Sequence, residues 1–377
     1  MLETLNASVE NNIDIKDINY LITKIIKVER NLQHIVPLFN LNDINKLNRD
    51  SSICIIRTGG IGDLISLSSL IYFLHKELEI PIDILKFVTQ EKHKAIFDYY
   101  KVPITVKYFF EPLYEFIENI ELRHFFTNLY PIHFENVIEN IKYCHINWYN
   151  LQFNHIGIKK FDKEWGRPQL KTERINNNPS NIDSSKRSIL INPKASAVVR
   201  SMRFEDIYIP LVKVIKDLDC NIYVHEINLN NADINFLQSV NDERIKIIEE
   251  NSLEEFLLDA FDVDLSISVD SSLIHFREGI ERPCIGIYGA FLYESRTKYY
   301  KYTMSFNIES DCPYMPCHKH VLKEFGICEF QDKMHKEGSY KIKYLNFAPC
   351  TCNAWNNTVQ DQVYKNIENY VKLHLNM

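Results

Sequence analysis

Between residues 188 and 289, short apolar runs alternate with helix-length segments. SILIN, CNIYVHEI, RIKIIEE, VDLSISVD and PCIGIYG are separated by RFEDIYIPLVKVIKDLD, NNADINFLQSV, SLEEFLLDAF and SSLIHFREGI. Strand-length runs that alternate with helix-length segments in this way are covered on both faces. They belong to a parallel sheet covered by helices. A looser version of the pattern begins at residue 52, where SSICIIR reads as a strand, TGGIGD as a tight turn and LISLSSLIYFLHKEL as a helix, followed by PIDILKFVT and PITVKYFF. The expected class is therefore α/β: two Rossmann-like domains in tandem, with ligands held beyond the carboxyl ends of the strands, in the cleft between domains.

The 377 residues allow roughly two to three domains. Four segments are expected. Residues 1–50, with apolar positions at helical spacing in YLITKIIKVERNLQHI, form a helical N-terminal extension that offers a packing surface for a second copy. Residues 51–172 form the first Rossmann-like domain, and the Asn/Ser-rich stretch 173–187 a linker. Residues 188–377 form the second domain, with a cysteine-rich loop at 312–352 and a closing amphipathic helix in TVQDQVYKNIENYVKLHL. The aromatic-rich stretch 110–160, including NLYPIHF, has apolar periodicity that suggests helices. Its aromatics shape an acceptor pocket or simply fill core.

Charge narrows the function. Lys and Arg number 43 against 50 Asp and Glu, a net charge of −7 with no dense basic block, which argues against a nucleic-acid partner. The N-terminus lacks a basic stretch followed by an apolar core, and no segment reaches the apolar length of a membrane span. The expectation is a cytoplasmic protein with at most peripheral membrane contact. Nine cysteines, an odd number without a secretion signal, argue against a disulfide framework.

Glycine is scarce, ten residues in all, yet Gly59, Gly60 and Gly62 fall within four positions. The backbone there must turn sharply or pass close to a ligand. The segment is neither a dinucleotide fingerprint nor a P-loop. Asp63 follows it at the start of a helix, placed either to accept a proton from a hydroxyl across the cleft or to cap the helix. In VDLSISVDSSLIHF, Asp270 ends a strand, Ser271 and Ser272 open a helix and His275 lies on its first turn. Helix-terminal amides and hydroxyls there suit a diphosphate, or merely cap. In NPKASAVVRSMRF, Lys194, Arg200 and Arg203 stand where a strand meets the cleft. The first two are candidate phosphate ligands, whereas Arg203 reads as a solvated face.

These residues resemble a known family. RTGGIGDLISLSSLIYFL is similar to the opening of the glycosyltransferase family 9 enzymes, the ADP-heptose heptosyltransferases of lipopolysaccharide assembly. VDLSISVDSSLIHF resembles their donor motif, NPKASAVVRSM the loop carrying their basic residue, and YGAFLYESRTKYY the following stretch with its arginine, here Arg296. The resemblance implies a GT-B fold with a C-terminal helix crossing back, and an inverting transfer of heptose or a related sugar without a catalytic cofactor. Asp63 would be the base. Gly60, Gly62, Lys194, Arg200, Asp270, Ser271, Ser272, His275 and Arg296 would surround the donor, and a glycan or protein hydroxyl would be the acceptor. Departures from the family pattern at Lys194, Met202, Ser272, Phe276, Arg277, Glu278, Ala290 and Phe291 are expected to crowd and recharge the donor pocket.

Cys312, Cys317, Cys328, Cys350 and Cys352 crowd the tail with three histidines. The first four, with Cys352 interchangeable for Cys350, could gather around a structural zinc or iron. Alternatively the segment is a cysteine-bearing surface loop. The autotransporter heptosyltransferases of the same superfamily carry a cysteine-ligated iron finger here and glycosylate protein serines, so the resemblance keeps that subclass open. Competing readings are a transferase of another nucleotide sugar, a nucleotide-sugar epimerase or hydrolase, and a non-catalytic GT-B scaffold.

Overall fold

The apolar runs pair as two separate parallel sheets in the computed structural model, which describes residues 41–46, 52–56, 60–89, 91–108, 129–133, 147–195, 200–249, 252–289, 291–308 and 357–374. The first sheet contains β1 (Ser52–Ile56), β2 (Leu85–Thr89), β3 (Thr105–Tyr108) and β4 (Leu129–His133), in the order β3-β2-β1-β4. The second contains β5 (Arg187–Asn192), β6 (Cys220–His225), β7 (Ile245–Ile248), β8 (Leu265–Val269), β9 (Cys284–Tyr288) and β10 (Thr303–Asn307), in the order β10-β9-β8-β5-β6-β7. Every pairing is parallel. The order reverses between β5 and β8, and a doubly wound sheet opens a ligand crevice at such a switch point.

Two strands differ from the sequence expectation. Leu129–His133 forms β4 rather than part of a helix; among the described strands it lies at the sheet edge, where a proline such as Pro131 is tolerated. β10 was hidden in a segment of mixed polarity, and only Thr303 and Phe306 are buried. Of the expected extension 1–50, Leu41–Lys46 is a 3-10 helix and the rest lies outside the described residues. So does most of the aromatic stretch.

Helix α1 (Ile61–Lys76) buries Leu64, Leu67, Leu70, Ile71 and Leu74 together with Ser66, Ser68 and Ser69. Such all-round burial needs partners on two sides. One is the first sheet; the other is α7 (Ser272–Gly279) of the second domain. A single apolar cluster runs from Ile53, Leu64 and Leu67 through Tyr99 to Phe261, Leu273, Phe276 and Ile280, so the two domains share core. Tyr99 meets Phe276 edge to face at 4.9 Å. The polar segment expected as a linker is pinned to α6 (Leu253–Asp262). Arg174 pairs with Asp262 at 2.9 Å, and Asn181 N–H donates to Asp259 at 2.7 Å. The closing helix, α9 (Asn357–His374), buries Val363, Ile367, Tyr370 and Val371 in the second domain's core beside α4 (Phe204–Val214).

Of the family departures on α7, Phe276, Arg277 and Glu278 are internal. Arg277 has no exposed surface and donates to the carbonyls of Ala260, Val263, Asp264 and Pro283. Glu278, also fully buried, accepts from Lys301 N–H, Tyr302 N–H and the Thr303 hydroxyl. Met202 packs in the second core. These side chains therefore do not recharge a pocket; they tie α7 to the loops around it. Replacing Arg277 with Met leaves four carbonyls without their donor and is expected to lower unfolding free energy by about 2–4 kcal/mol. Urea denaturation measures this, and a loss below about 0.5 kcal/mol would contradict it.

Candidate active site between two helix ends

The α1 and α7 N-termini face each other across the domain boundary. Gly62, on the first turn of α1, lies close against α7: a Cβ there would meet His275 Cδ2 at 3.0 Å and the Ser272 Cα at 3.4 Å. Asp63 is the third residue of α1, and its Oδ2 accepts from Gly60 N–H at 3.1 Å. The capping role expected of it is thus present. The same carboxylate bears electrostatically on His275 and on His93, a buried side chain just beyond β2, so it lies among titratable groups of both domains.

On the second side, the switch point is filled by a polar knot. Asn192, ending β5, donates through Nδ2 to Ser271 Oγ at 2.8 Å and Ser268 Oγ at 3.2 Å, and the two serine oxygens are 2.8 Å apart. Ser271 also accepts from Leu273 N–H as the α7 cap. Asn192 Oδ1 is buried with no hydrogen-bond partner among the described residues. Arg200 Nη1 donates to the Asp270 carbonyl at 3.1 Å and approaches its buried carboxylate at 3.4 Å. Arg296, on α8 (Glu294–Thr297), lies between Trp148 and Phe291, its guanidinium carbon 4.9 and 4.4 Å from the ring centres. Two aromatic faces hold it at the end of α3 (Trp148–His155).

His275 joins the halves. Its Nδ1 is 2.6 Å from Tyr300 Oη, which is 2.9 Å from Tyr149 Oη on α3. Burial pulls the imidazole down to about 4, with Asp270 and Asp63 opposing and Arg296 and Arg200 reinforcing. The structure thus gathers Gly60, Gly62, Asp63, Arg200, Asp270, Ser271, Ser272, His275 and Arg296 around one boundary. Lys194 points elsewhere, donating to the Ile227 carbonyl beyond β6 at 2.8 Å. Arg203 donates to Asp206 at 2.9 and 2.7 Å and keeps about a third of its side chain, 36%, exposed to solvent. Trp148 and Tyr149 belong to the aromatic stretch expected to shape an acceptor pocket or fill core, whereas Asn192 and Tyr300 were not candidates. Of these only Asn192 left a signal, a polar residue closing an apolar strand at the start of a sheet. Gly59 and the five tail cysteines lie outside the described residues, and among the described residues no group of three or more Cys, His, Asp or Glu side chains could hold a metal. Nor is any described helix long and apolar enough to cross a membrane.

No family model and no curated protein matches the sequence. Among solved structures, the glycosyl transferase family 9 protein from Veillonella parvula DSM 2008 is similar over 86% of this chain and 98% of its own, at 12% identity and TM-score 0.52. E. coli ADP-heptose lps heptosyltransferase II is similar at 14% identity over 68% of this chain and 90% of its own, with TM-score 0.46. The iron-containing dodecameric glycosyltransferase TibC from enterotoxigenic E. coli H10407 is 12% identical over 71% of this chain and 64% of its own, also with TM-score 0.46. The first likeness shows the fold, and with the two parallel sheets it establishes a GT-B arrangement of Rossmann-like domains facing a cleft.

The depressed histidines carry a pH consequence. In the unfolded chain each takes up a proton near 6.5, but in the folded chain His275 and His93 do so only at about 4. The unfolded state therefore binds more protons across that window, and stability is lost as pH falls through it. The drop in urea midpoint between about pH 7 and pH 5 should shrink in His93→Gln. An unchanged drop would show that His93 is not held neutral.

Proposed function

We propose that this chain is an inverting glycosyltransferase moving a sugar from a nucleoside diphosphate donor to an acceptor hydroxyl. ADP-heptose is the favoured donor, and a glycan or protein hydroxyl is the acceptor. The observation that carries the reading is the opposition of one carboxylate and one serine-capped helix N-terminus with arginines beside it, across a GT-B cleft. Asp63 stands on α1, and Ser271, Ser272, His275, Arg200 and Arg296 stand on the other side.

The chemistry follows from that division. Asp63 takes the proton of the acceptor hydroxyl as its oxygen forms a bond to the anomeric carbon. The bond from that carbon to the donor diphosphate breaks, and the electron pair leaves with the phosphate oxygen. Charge growing there is met by the α7 N-terminal amides and by the arginines. Attack from the side opposite the leaving group inverts the anomeric centre. Arg296 is suited to the task because the aromatic pair covers its faces and leaves its edge for hydrogen bonding.

The capping bond from Gly60 N–H to Asp63 supports a second reading, a non-catalytic GT-B scaffold in which the carboxylate only starts the helix. Asp63→Asn separates the two, since an amide oxygen still caps but does not accept the proton. The transferase reading predicts a fall in kcat of about 10²–10⁴-fold with nucleotide affinity retained. Wild-type protein that binds nucleotide but transfers nothing to any hydroxyl supports the scaffold. Calorimetric titration with ADP, UDP and GDP assigns the donor. Preferential binding of UDP or GDP would overturn the ADP assignment and leave the transfer scheme intact.

A further inference from the structure

The hydrogen bonds that close the switch point leave no freedom in how their hydrogens are shared. Asn192 Nδ2 lies 2.8 Å from Ser271 Oγ and 3.2 Å from Ser268 Oγ. Ser268 Oγ lies 2.8 Å from the Val269 carbonyl oxygen and 2.8 Å from Ser271 Oγ, and Leu273 N–H reaches Ser271 Oγ at 3.3 Å. These five contacts need five hydrogens.

A carbonyl brings none, so Ser268 donates to Val269 and the contact between the two serines is a donation from Ser271. Both hydroxyl hydrogens are then spent. The Asn192 amide must supply two more, which it does only with Nδ2 toward the serines; with its oxygen turned there, two contacts would lack a hydrogen. Each serine oxygen then donates once and accepts twice, which is its full capacity. Ser271 has nothing left to offer a ligand. The one atom of the knot without a partner among the described residues, Asn192 Oδ1, is an acceptor, and a deprotonated phosphate oxygen does not satisfy it.

Ser272 is placed differently. It opens α7 half-buried, with its Cα against the Gly62 turn, and its hydroxyl makes no hydrogen bond among the described residues. We infer that Ser272, and not Ser271, is the hydroxyl that donates to the diphosphate, and that Asn192 is a positioning residue that reserves Ser271 for capping α7. The assignment rests on the function proposed above. A hydroxyl that donates to a phosphate oxygen makes a charge-assisted bond, and Ser272 adds it to the amides of the same helix end. Ser272 is among the departures from the family pattern, and in this role it adds a ligand rather than crowding one.

Calorimetric titration of the full chain, with whichever of ADP, UDP and GDP the wild type binds most tightly, tests this. Ser272→Ala should raise the Kd about tenfold with the urea midpoint held, and Ser272→Thr, which keeps the hydroxyl, should restore binding. Ser271→Ala removes the cap, so its urea midpoint should fall while its Kd rises several-fold less than in Ser272→Ala. Asn192→Leu brings no hydrogens and releases the Ser271 hydroxyl to the ligand. In that background Ser272→Ala should cost only about threefold, a coupling that a merely structural Asn192 would not produce. A folded Ser271→Ala that weakens binding as much as Ser272→Ala overturns the proposal, as does simple additivity of Asn192→Leu with Ser272→Ala. Wild-type protein that binds none of the three nucleotides overturns the donor reading and the assignment with it, whereas binding unmoved by Ser272→Ala overturns the assignment alone.

Discussion

The approach of two helix ends at Gly62 is the constraint on which the rest of the molecule depends. With no side chain at that position, α1 and α7 come close enough for the His275 ring to lie on the α1 backbone. That contact brings an acidic first turn and a first turn bearing Ser272 and His275 to the two sides of one boundary. The apolar cluster behind it, from Leu64 and Leu67 to Leu273 and Phe276, keeps the helices in register. Water is excluded from much of this region, which is why His275 and His93 are held neutral and why the hydrogen bonds there are directional.

The second domain is built to hold α7 in place. Arg277 donates to four carbonyls, while Glu278 accepts from the Lys301 and Tyr302 amides and the Thr303 hydroxyl. The Glu278 contacts end one residue from Tyr300, the hydroxyl that reaches His275. Charges that look misplaced in an α/β core thus serve as rigid supports whose hydrogen-bonding capacity is consumed by backbone. A buried cation and a buried carboxylate are tolerated on those terms, because each desolvated polar atom meets an opposite partner.

Much of this was legible in the residues. Strands such as SILIN and CIGIY are largely apolar and short, and they alternate with helix-length segments, so the parallel sheet followed directly. Three glycines before Asp63 in a glycine-poor chain marked the turn, and Asp270-Ser271-Ser272 marked the helix start. What the sequence hid was long-range or context-dependent. Leu129–His133 carries a proline and sits amid aromatics at helical spacing, so only its place at a sheet edge makes it a strand. Tyr149 and Tyr300 are 151 positions apart, and no local pattern predicts that their hydroxyls meet. Lys194 looked like a phosphate ligand because it follows a strand, yet its ammonium group is held by a carbonyl beyond the neighbouring strand. Arg277 and Glu278 looked like pocket charges because periodicity says which face a residue takes but not what waits there.

The central claim is that α1 and α7 form one site, with a nucleoside diphosphate on α7 and Asp63 opposite. A crystal structure of the chain soaked with ADP measures it most directly. The account predicts diphosphate density at the Ser271–Ser272 amides, within reach of Arg200 and Arg296, with the terminal phosphate facing Asp63 across Gly62. Diphosphate bound on another surface, or on α7 but turned away from the Asp63 carboxylate, would contradict it.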